Sequence, residues 1–222
     1  MISALIVAAG SATRMGFDKL LARLGGEPVI LHTLRAFEAC PDVDDIRIVA
    51  GAERGALISG MAAQAGLTKI QGIVPGGAER HLSVWNGLEA LPEECELVAV
   101  HDGARPLIDP AQISRCVHKA ADSGAAASAR RVTETLKKAD AEGCVTGSIE
   151  REGVWIMETP QVFRRTLLHS AYANLIEAGV SVTDEVSAVE RAGCSVWLVE
   201  NFTPNPKITL PGDLETAQRL LR

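Results

Sequence analysis

The chain opens on an unbroken apolar run, Ile2 to Ala8, that stops at Gly10. A short run without polar alternation suits a central strand buried on both faces. Apolar positions then recur at helical spacing from Val29 to Cys40. Asp45 to Ala50 reads as a second strand and Glu53 to Ala65 as a second helix. Lys69 to Val74 is a third strand, and Gly76-Gly77 breaks the chain before a helix from Glu79 to Ala90. Leu97 to Val100 is a fourth strand, running into His101-Asp102-Gly103-Ala104-Arg105-Pro106. Pro110 to Ser123 reads as a helix and Ala125 to Ala129 as a small-residue strand. Strands and helices alternate at roughly 25-residue intervals, the pattern of stacked βαβ units. The prediction is an α/β fold with a mostly parallel sheet and helices on both faces.

The pattern changes between Thr133 and Trp155. Two polar segments flank Ala139-Asp140-Ala141-Glu142-Gly143, which predicts a hairpin around an acidic, Gly-ended turn. Such a hairpin has too little apolar surface to stand alone, so it lies on the surface or reaches a partner subunit. Helices are then predicted over Arg164–Ala178 and Glu185–Ala192, a strand over Ser195–Glu200 and a last helix over Gly212–Leu221. No repeat or linker interrupts the 222 residues, so residues 1–222 read as one domain with a hairpin arm at 133–155.

Composition narrows the function classes. Charged residues make up 23% and the net charge is −6, which argues against a nucleic-acid-binding surface. No apolar run reaches membrane-spanning length, and the N-terminal run lacks the basic flank of a signal peptide. The five cysteines, at 40, 95, 116, 144 and 194, form no CxxC pair and read as reduced thiols of a cytoplasmic protein.

Ligands of open α/β sheets bind beyond the carboxyl ends of the strands. That rule selects the segments after Ala8, Val74 and Val100, where glycines and charges gather. The first segment, Ala8-Ala9-Gly10-Ser11-Ala12-Thr13-Arg14-Met15-Gly16-Phe17-Asp18-Lys19, follows a buried strand and combines glycine with two cations. Glycine admits phosphate oxygens to the backbone N–H groups, while Arg14 and Lys19 supply a planar fork and a point charge. Neither GxxxxGK[ST] nor GxGxxG is present, which excludes a P-loop and disfavours a dinucleotide-binding oxidoreductase. Asp102 would hold a metal ion or a substrate hydroxyl, or else form a structural ion pair with Arg105. His101 reads as a packed strand-end histidine, and Trp85 and Trp155 as packing residues.

Taken together, AAGSATRMG…K, GG-x-ER-x-x-S-V-x-x-G-L, HDGARP, TPQ-x-F, TDE-x-S-A-x-E and the late K-I-T resemble the 2-C-methyl-D-erythritol 4-phosphate cytidylyltransferases. The motifs run in order along nearly the whole chain. The resemblance implies a Rossmann-like nucleotidyltransferase fold, a homodimer, and transfer of CMP from CTP to methylerythritol phosphate with Mg²⁺. It implies that Ala8, Ala9, Gly10, Ala12, Arg14 and Lys19 wrap CTP, that Gly76, Gly77 and Ser83 meet cytosine, and that Ala104 and Lys207 complete the CTP site. Arg14, Lys19 and Lys207 would be catalytic, with Mg²⁺ held mainly by the CTP phosphates. Asp102, Arg105 and Thr183 would face the sugar phosphate. Thr135 and Arg151 on the hairpin would cross the dimer to the partner's substrate. The chain departs from the pattern at Ala12, Asp18 and Ala78, where glycine, proline and aspartate are usual. Ribitol 5-phosphate is the rival acceptor.

Overall fold

The computed structural model describes residues 1–10 and 16–221. In chain order the elements are β1 (Ile2–Val7), β2 (Arg23–Leu24), β3 (Glu27–Pro28), α1 (Val29–Ala39), β4 (Asp45–Ala50), α2 (Ala52–Gln64), β5 (Ile70–Pro75), α3 (Arg80–Glu89), β6 (Leu97–Asp102) and α4 (Pro110–Ser123). They continue with β7 (Ala125–Arg131), β8 (Leu136–Ala139), β9 (Val145–Ile149), β10 (Trp155–Arg164), α5 (Arg165–Glu177), α6 (Glu185–Arg191), β11 (Trp197–Glu200) and α7 (Pro211–Leu220).

Seven strands form one sheet in the order β11-β7-β10-β6-β1-β4-β5. Only β10 runs antiparallel to its neighbours. The mostly parallel α/β reading therefore holds. The apolar run of β1 divides its side chains between two cores, as the two-residue period of a strand demands. Ala4 and Ile6 pack with Ile30, Phe37, Ile58 and Ile113 of α1, α2 and α4. Leu5 packs on the other face with Leu88, Leu168 and Tyr172 of α3 and α5.

Strand β10 is the element that sequence patterning did not anticipate, and the hairpin reading had ended at Trp155. Its centre is Glu158-Thr159-Pro160-Gln161, with a cis Thr159–Pro160 bond and a register shift between Met157 and Gln161. Polar residues and a proline argue against a central strand. Here Glu158, Thr159 and Gln161 are all buried, because they hydrogen-bond to the ends of neighbouring elements. The small β2–β3 hairpin was also missed, although Gly25-Gly26 supplies the two positive φ values of a tight turn.

Strands β8 and β9 pair antiparallel and project from between β7 and β10, closed at the base by Val132 N–H donating to Val154 O at 3.1 Å. Gly143 takes φ +86° in the turn. Both faces of this arm are largely exposed.

Candidate active site

A cleft of about 440 Å³ opens at the carboxyl end of β1 and β6. Ala8, Ala9, Gly10, Lys19, Gly77, Ser83, Asp102, Ala104 and Lys207 line it, together with Glu79 and Arg80. Segments distant in sequence meet there because β1 is central and β6 is its neighbour.

Asp102, at the end of β6, is the electrostatic hub. Lys207 Nζ lies 2.7 Å from its Oδ2, Arg80 Nε 3.3 Å from its Oδ1 and Arg105 Nε 3.7 Å from its Oδ2. Burial opposes ionisation of this carboxyl, but Arg80, Lys207 and Arg105 outweigh it and hold it well below the usual carboxylate range. Arg80 is fixed from behind. Its guanidinium donates to both oxygens of the fully buried Glu185 at 2.6 and 3.1 Å, and Tyr172 donates its hydroxyl to the same carboxylate at 3.1 Å. Burial favours loss of the Arg80 proton, yet Glu185 and Asp102 raise its pKa above the ordinary value.

His101 is fully buried and tilted against Phe37, with ring centroids 4.9 Å apart. Asp102 N–H donates to Thr159 Oγ1 at 3.1 Å, and that hydroxyl sits 3.0 Å from His101 Nδ1. His101 Nε2 lies 3.2 Å from the Arg105 carbonyl, which can only accept. The network therefore assigns the proton to Nε2 and makes Nδ1 the acceptor of the Thr159 hydroxyl. Desolvation lowers the ring pKa to about 3, so the imidazole is neutral and fully engaged. It is not available as a general base.

Opposite the hub, a Cβ on Gly76 would strike Ala9, and one on Gly77 would lie 2.5 Å from Leu82 Cβ. Both positions require glycine for close packing. Ser83 accepts from Gly77 N–H at 3.0 Å and donates to Glu79 O at 3.0 Å. The Gly-Gly turn is thereby fastened to α3 with its backbone beside the cleft.

On the β1 side, Ala8 N–H donates to Val49 O, continuing the ladder. The N–H groups of Ala9 and Gly10 have no acceptor among the described residues. Lys19 Nζ donates to Ile208 O at 2.8 Å, which joins it to the segment carrying Lys207. Ala12 and Arg14 lie outside the described residues.

Among the described residues, unpaired backbone donors, converging cations and a shielded carboxylate combine to suit a polyanion, and no proton-transfer device stands beside them. Comparison with known proteins identifies the polyanion. The IspD family model, described as 2-C-methyl-D-erythritol 4-phosphate cytidylyltransferase, matches residues 2–222. The chain belongs to this family. A cytidylyltransferase of that name from Desulforamulus reducens is 40% identical over 224 residues, covering 100% of this chain and 96% of the relative. A bifunctional IspD/IspF enzyme from Rhodospirillum rubrum is 42% identical, and this chain spans 57% of its length. Among solved structures, the synthase from Anaerococcus prevotii superposes with a TM-score of 0.87 at 29% identity, covering 99% of this chain and 95% of the other. The enzyme from Thermus thermophilus gives 0.79 at 30%, covering 97% and 96%. The chain is thus a nucleotidyltransferase of the methylerythritol phosphate pathway, with CTP and methylerythritol phosphate as its substrates.

Within that family reading, not every expected residue reaches the cleft. Thr183 is exposed and lines a separate shallow depression with Ser181, Val182, Ser187, Glu190 and Arg191. Its neighbour Asp184 caps α6, accepting from Ser187 N–H. Thr135 and Arg151 are exposed on the arm, where Arg151 donates to the Thr133 carbonyl. Neither lines the cleft of its own chain. Arg105 faces a second depression of about 560 Å³, lined also by Arg130, Glu158, Phe202 and Asn205, and Lys207 borders both depressions. The Arg105 guanidinium donates to Asn205 O at 2.8 Å, and burial lowers its pKa.

Sequence reasoning missed Arg80, Glu185, Thr159 and Arg54. Arg80, Thr159 and Glu185 stand inside the quoted motifs GG-x-ER, TPQ and TDE, so their positions were visible though their contacts were not. Arg54 stands in no motif.

Magnesium binds through one or two carboxylates plus substrate phosphates. Among the described residues no group of three or more His, Cys, Asp or Glu side chains gathers to cage a metal. The cleft carboxylates are Asp102, engaged by three cations, and the exposed Glu79. These donors fit an ion carried in on the triphosphate, which Asp102 would help to hold.

Proposed function

We propose that CTP lies in the first cleft and methylerythritol phosphate in the second, so that the attacking phosphate and the α-phosphorus of CTP meet at Lys207. The observation that carries this reading is that Lys207 lines both depressions while its ammonium is held 2.7 Å from Asp102. Ala8, Ala9 and Gly10 offer backbone donors to the phosphates, and Arg14 and Lys19 neutralise the transferring group. Gly76, Gly77 and Ser83 present backbone groups to cytosine, and Ala104 closes the cleft floor. Asp102 and Arg105 face the alditol phosphate. A phosphomonoester is largely a dianion at neutral pH, with its second pKa near ~6, so attack needs no base. Neutral, buried His101 is consistent with that. The demand is to bring two anions together, which fixed cations meet. When bound on the triphosphate, Mg²⁺ would add charge neutralisation at the leaving pyrophosphate.

In this reading residues 1–222 act as one cytidylyltransferase domain that pairs into a homodimer. The arm reaches across it, carrying Thr135 and Arg151 to the partner's alditol phosphate. Its two exposed faces support this, since a hairpin without a core of its own has to lie against something. Among the described residues no helix is long and apolar enough to cross a membrane, and all five cysteines are free thiols. Free thiols suit a reducing, cytoplasmic setting.

Pyrophosphate release from each of the four NTPs, with Mg²⁺ and either methylerythritol 4-phosphate or ribitol 5-phosphate, tests the pairing. Release should require CTP and methylerythritol phosphate. Release with ribitol phosphate alone would overturn the acceptor assignment. Lys207→Ala should lose about 3 kcal/mol of transition-state stabilisation, roughly a hundredfold in kcat/KM.

A further inference from the structure

One side chain from outside the first turn ties its two ends together. Arg54 sits in the first turn of α2 and does not line the cleft. Its Nε donates to Asp18 Oδ2 at 2.7 Å, and its Nη1 donates to the carbonyls of Ala8 at 3.0 Å and Gly10 at 3.1 Å. The other oxygen of Asp18 accepts from Leu20 N–H at 3.0 Å, so the same carboxylate shapes the backbone around Lys19.

Arg54 is itself well seated. A Cβ on the next residue, Gly55, would strike the Ile73 side chain, so α2 lies tight against β5. In a trans peptide the carbonyl and the following N–H point in opposite directions. Turning the Ala8 carbonyl towards Arg54 therefore aims the Ala9 N–H away from it, and Ala9 lines the cleft.

We propose that Arg54 is a positioning residue of the reaction. By clamping Ala8, Gly10 and Asp18, it sets the backbone donors and Lys19 where the triphosphate meets them. Asp18 is the anionic half of the clamp; the two side chains are 22% and 27% exposed, so the pair is partly shielded from solvent. The proposal rests on reading this turn as the triphosphate site.

The test is steady-state kinetics with CTP and methylerythritol phosphate on full-length Arg54→Met, Arg54→Lys, Asp18→Asn and Lys19→Ala. Arg54→Met should raise KM for CTP about tenfold and lower kcat several-fold, while KM for the alditol phosphate stays within about twofold, because only one substrate's contacts are displaced. Arg54→Lys should recover part of the loss. Adding Asp18→Asn to Arg54→Met should cost nothing further, as expected for groups acting as a unit. Should Arg54→Met fail to fold, Arg54→Lys and Asp18→Asn carry the test, each with a smaller rise in KM for CTP alone.

If the Arg54 and Asp18 variants keep kcat and KM for CTP while Lys19→Ala loses turnover, the clamp does no positioning and the proposal fails. An equal loss in both KM values alongside a lowered Tm also overturns it, since Arg54 would then serve only the fold. If Lys19→Ala keeps both parameters, the fault lies instead with the assignment of the turn.

Discussion

The floor of the cleft and the projecting arm are held in opposite ways. On the floor, Glu185 is fully buried and fixes Arg80, which in turn meets Asp102. Each charge there has an ionic partner within the chain, so geometry and stability depend on the same contacts. On the arm, most residues of β8 and β9 are exposed and its polar side chains bond mainly to one another, as Lys137 does to Ser148 at 2.6 Å. No residue of β8 or β9 is among the buried core residues, and in the proposed reading the arm's side chains act against a second molecule. A floor substitution should therefore disturb folding and catalysis together, and an arm substitution catalysis alone.

Glu185→Gln should break this comparison open most strongly. It leaves a largely buried arginine without its bidentate partner, and urea unfolding should register a loss of about 3–5 kcal/mol along with reduced turnover. An unchanged midpoint would place Glu185 with the arm residues.

Acid should act next. The His101 pKa falls from its ordinary value of 6.5 to about 3 in the folded chain. Between those values the unfolded chain binds a proton that the buried ring refuses. Stability contributed by the neutral ring is full above pH 6.5 and declines as pH falls, by up to about 1.4 kcal/mol per pH unit. The depressed pKa of Asp102 adds its own loss only at more acidic pH, below the ordinary carboxylate value of 3.8. Unfolding measured from pH 7 to pH 4 should slope downward, and His101→Asn should flatten that slope.

Ser83→Ala should cost about 1 kcal/mol by removing the hydroxyl that fastens Gly77 to α3, with weaker CTP binding. Arg151→Ala should change stability by less than about 0.5 kcal/mol, as exposed substitutions do, while raising KM for the alditol phosphate. A stability loss comparable to that of Glu185→Gln would mean that the arm is part of the core.

The same contrast explains what the sequence disclosed. Continuous apolar runs such as Ile2–Val7 announce buried strands, and alternation with helices announces β1, β4, β5 and β6 as members of a mostly parallel sheet. Strand β10 escaped because Glu158, Thr159, Pro160 and Gln161 resemble a loop; their burial depends on partners far away in sequence, such as His101 and Glu185. Glycines and cations beyond strand ends marked the cleft, since phosphate chemistry leaves a local signature. The Arg80–Glu185 pair spans 105 residues and leaves none. The TDE motif names Thr183 as a substrate contact, and its buried neighbour Glu185, which meets Arg80 of the site, carries no local sign of that role.

The central claim is that each cleft is completed by the arm of a second copy. Lys19→Ala and Arg151→Ala, assayed at a methylerythritol phosphate concentration low enough that each is nearly inactive alone, can be mixed and allowed to exchange subunits. A mixed dimer then holds one site with both native residues, and the mixture should regain about a quarter of native turnover, as expected for random pairing in a twofold dimer. Activity no greater than the sum of the two variants would contradict the account and return the arm to its own chain.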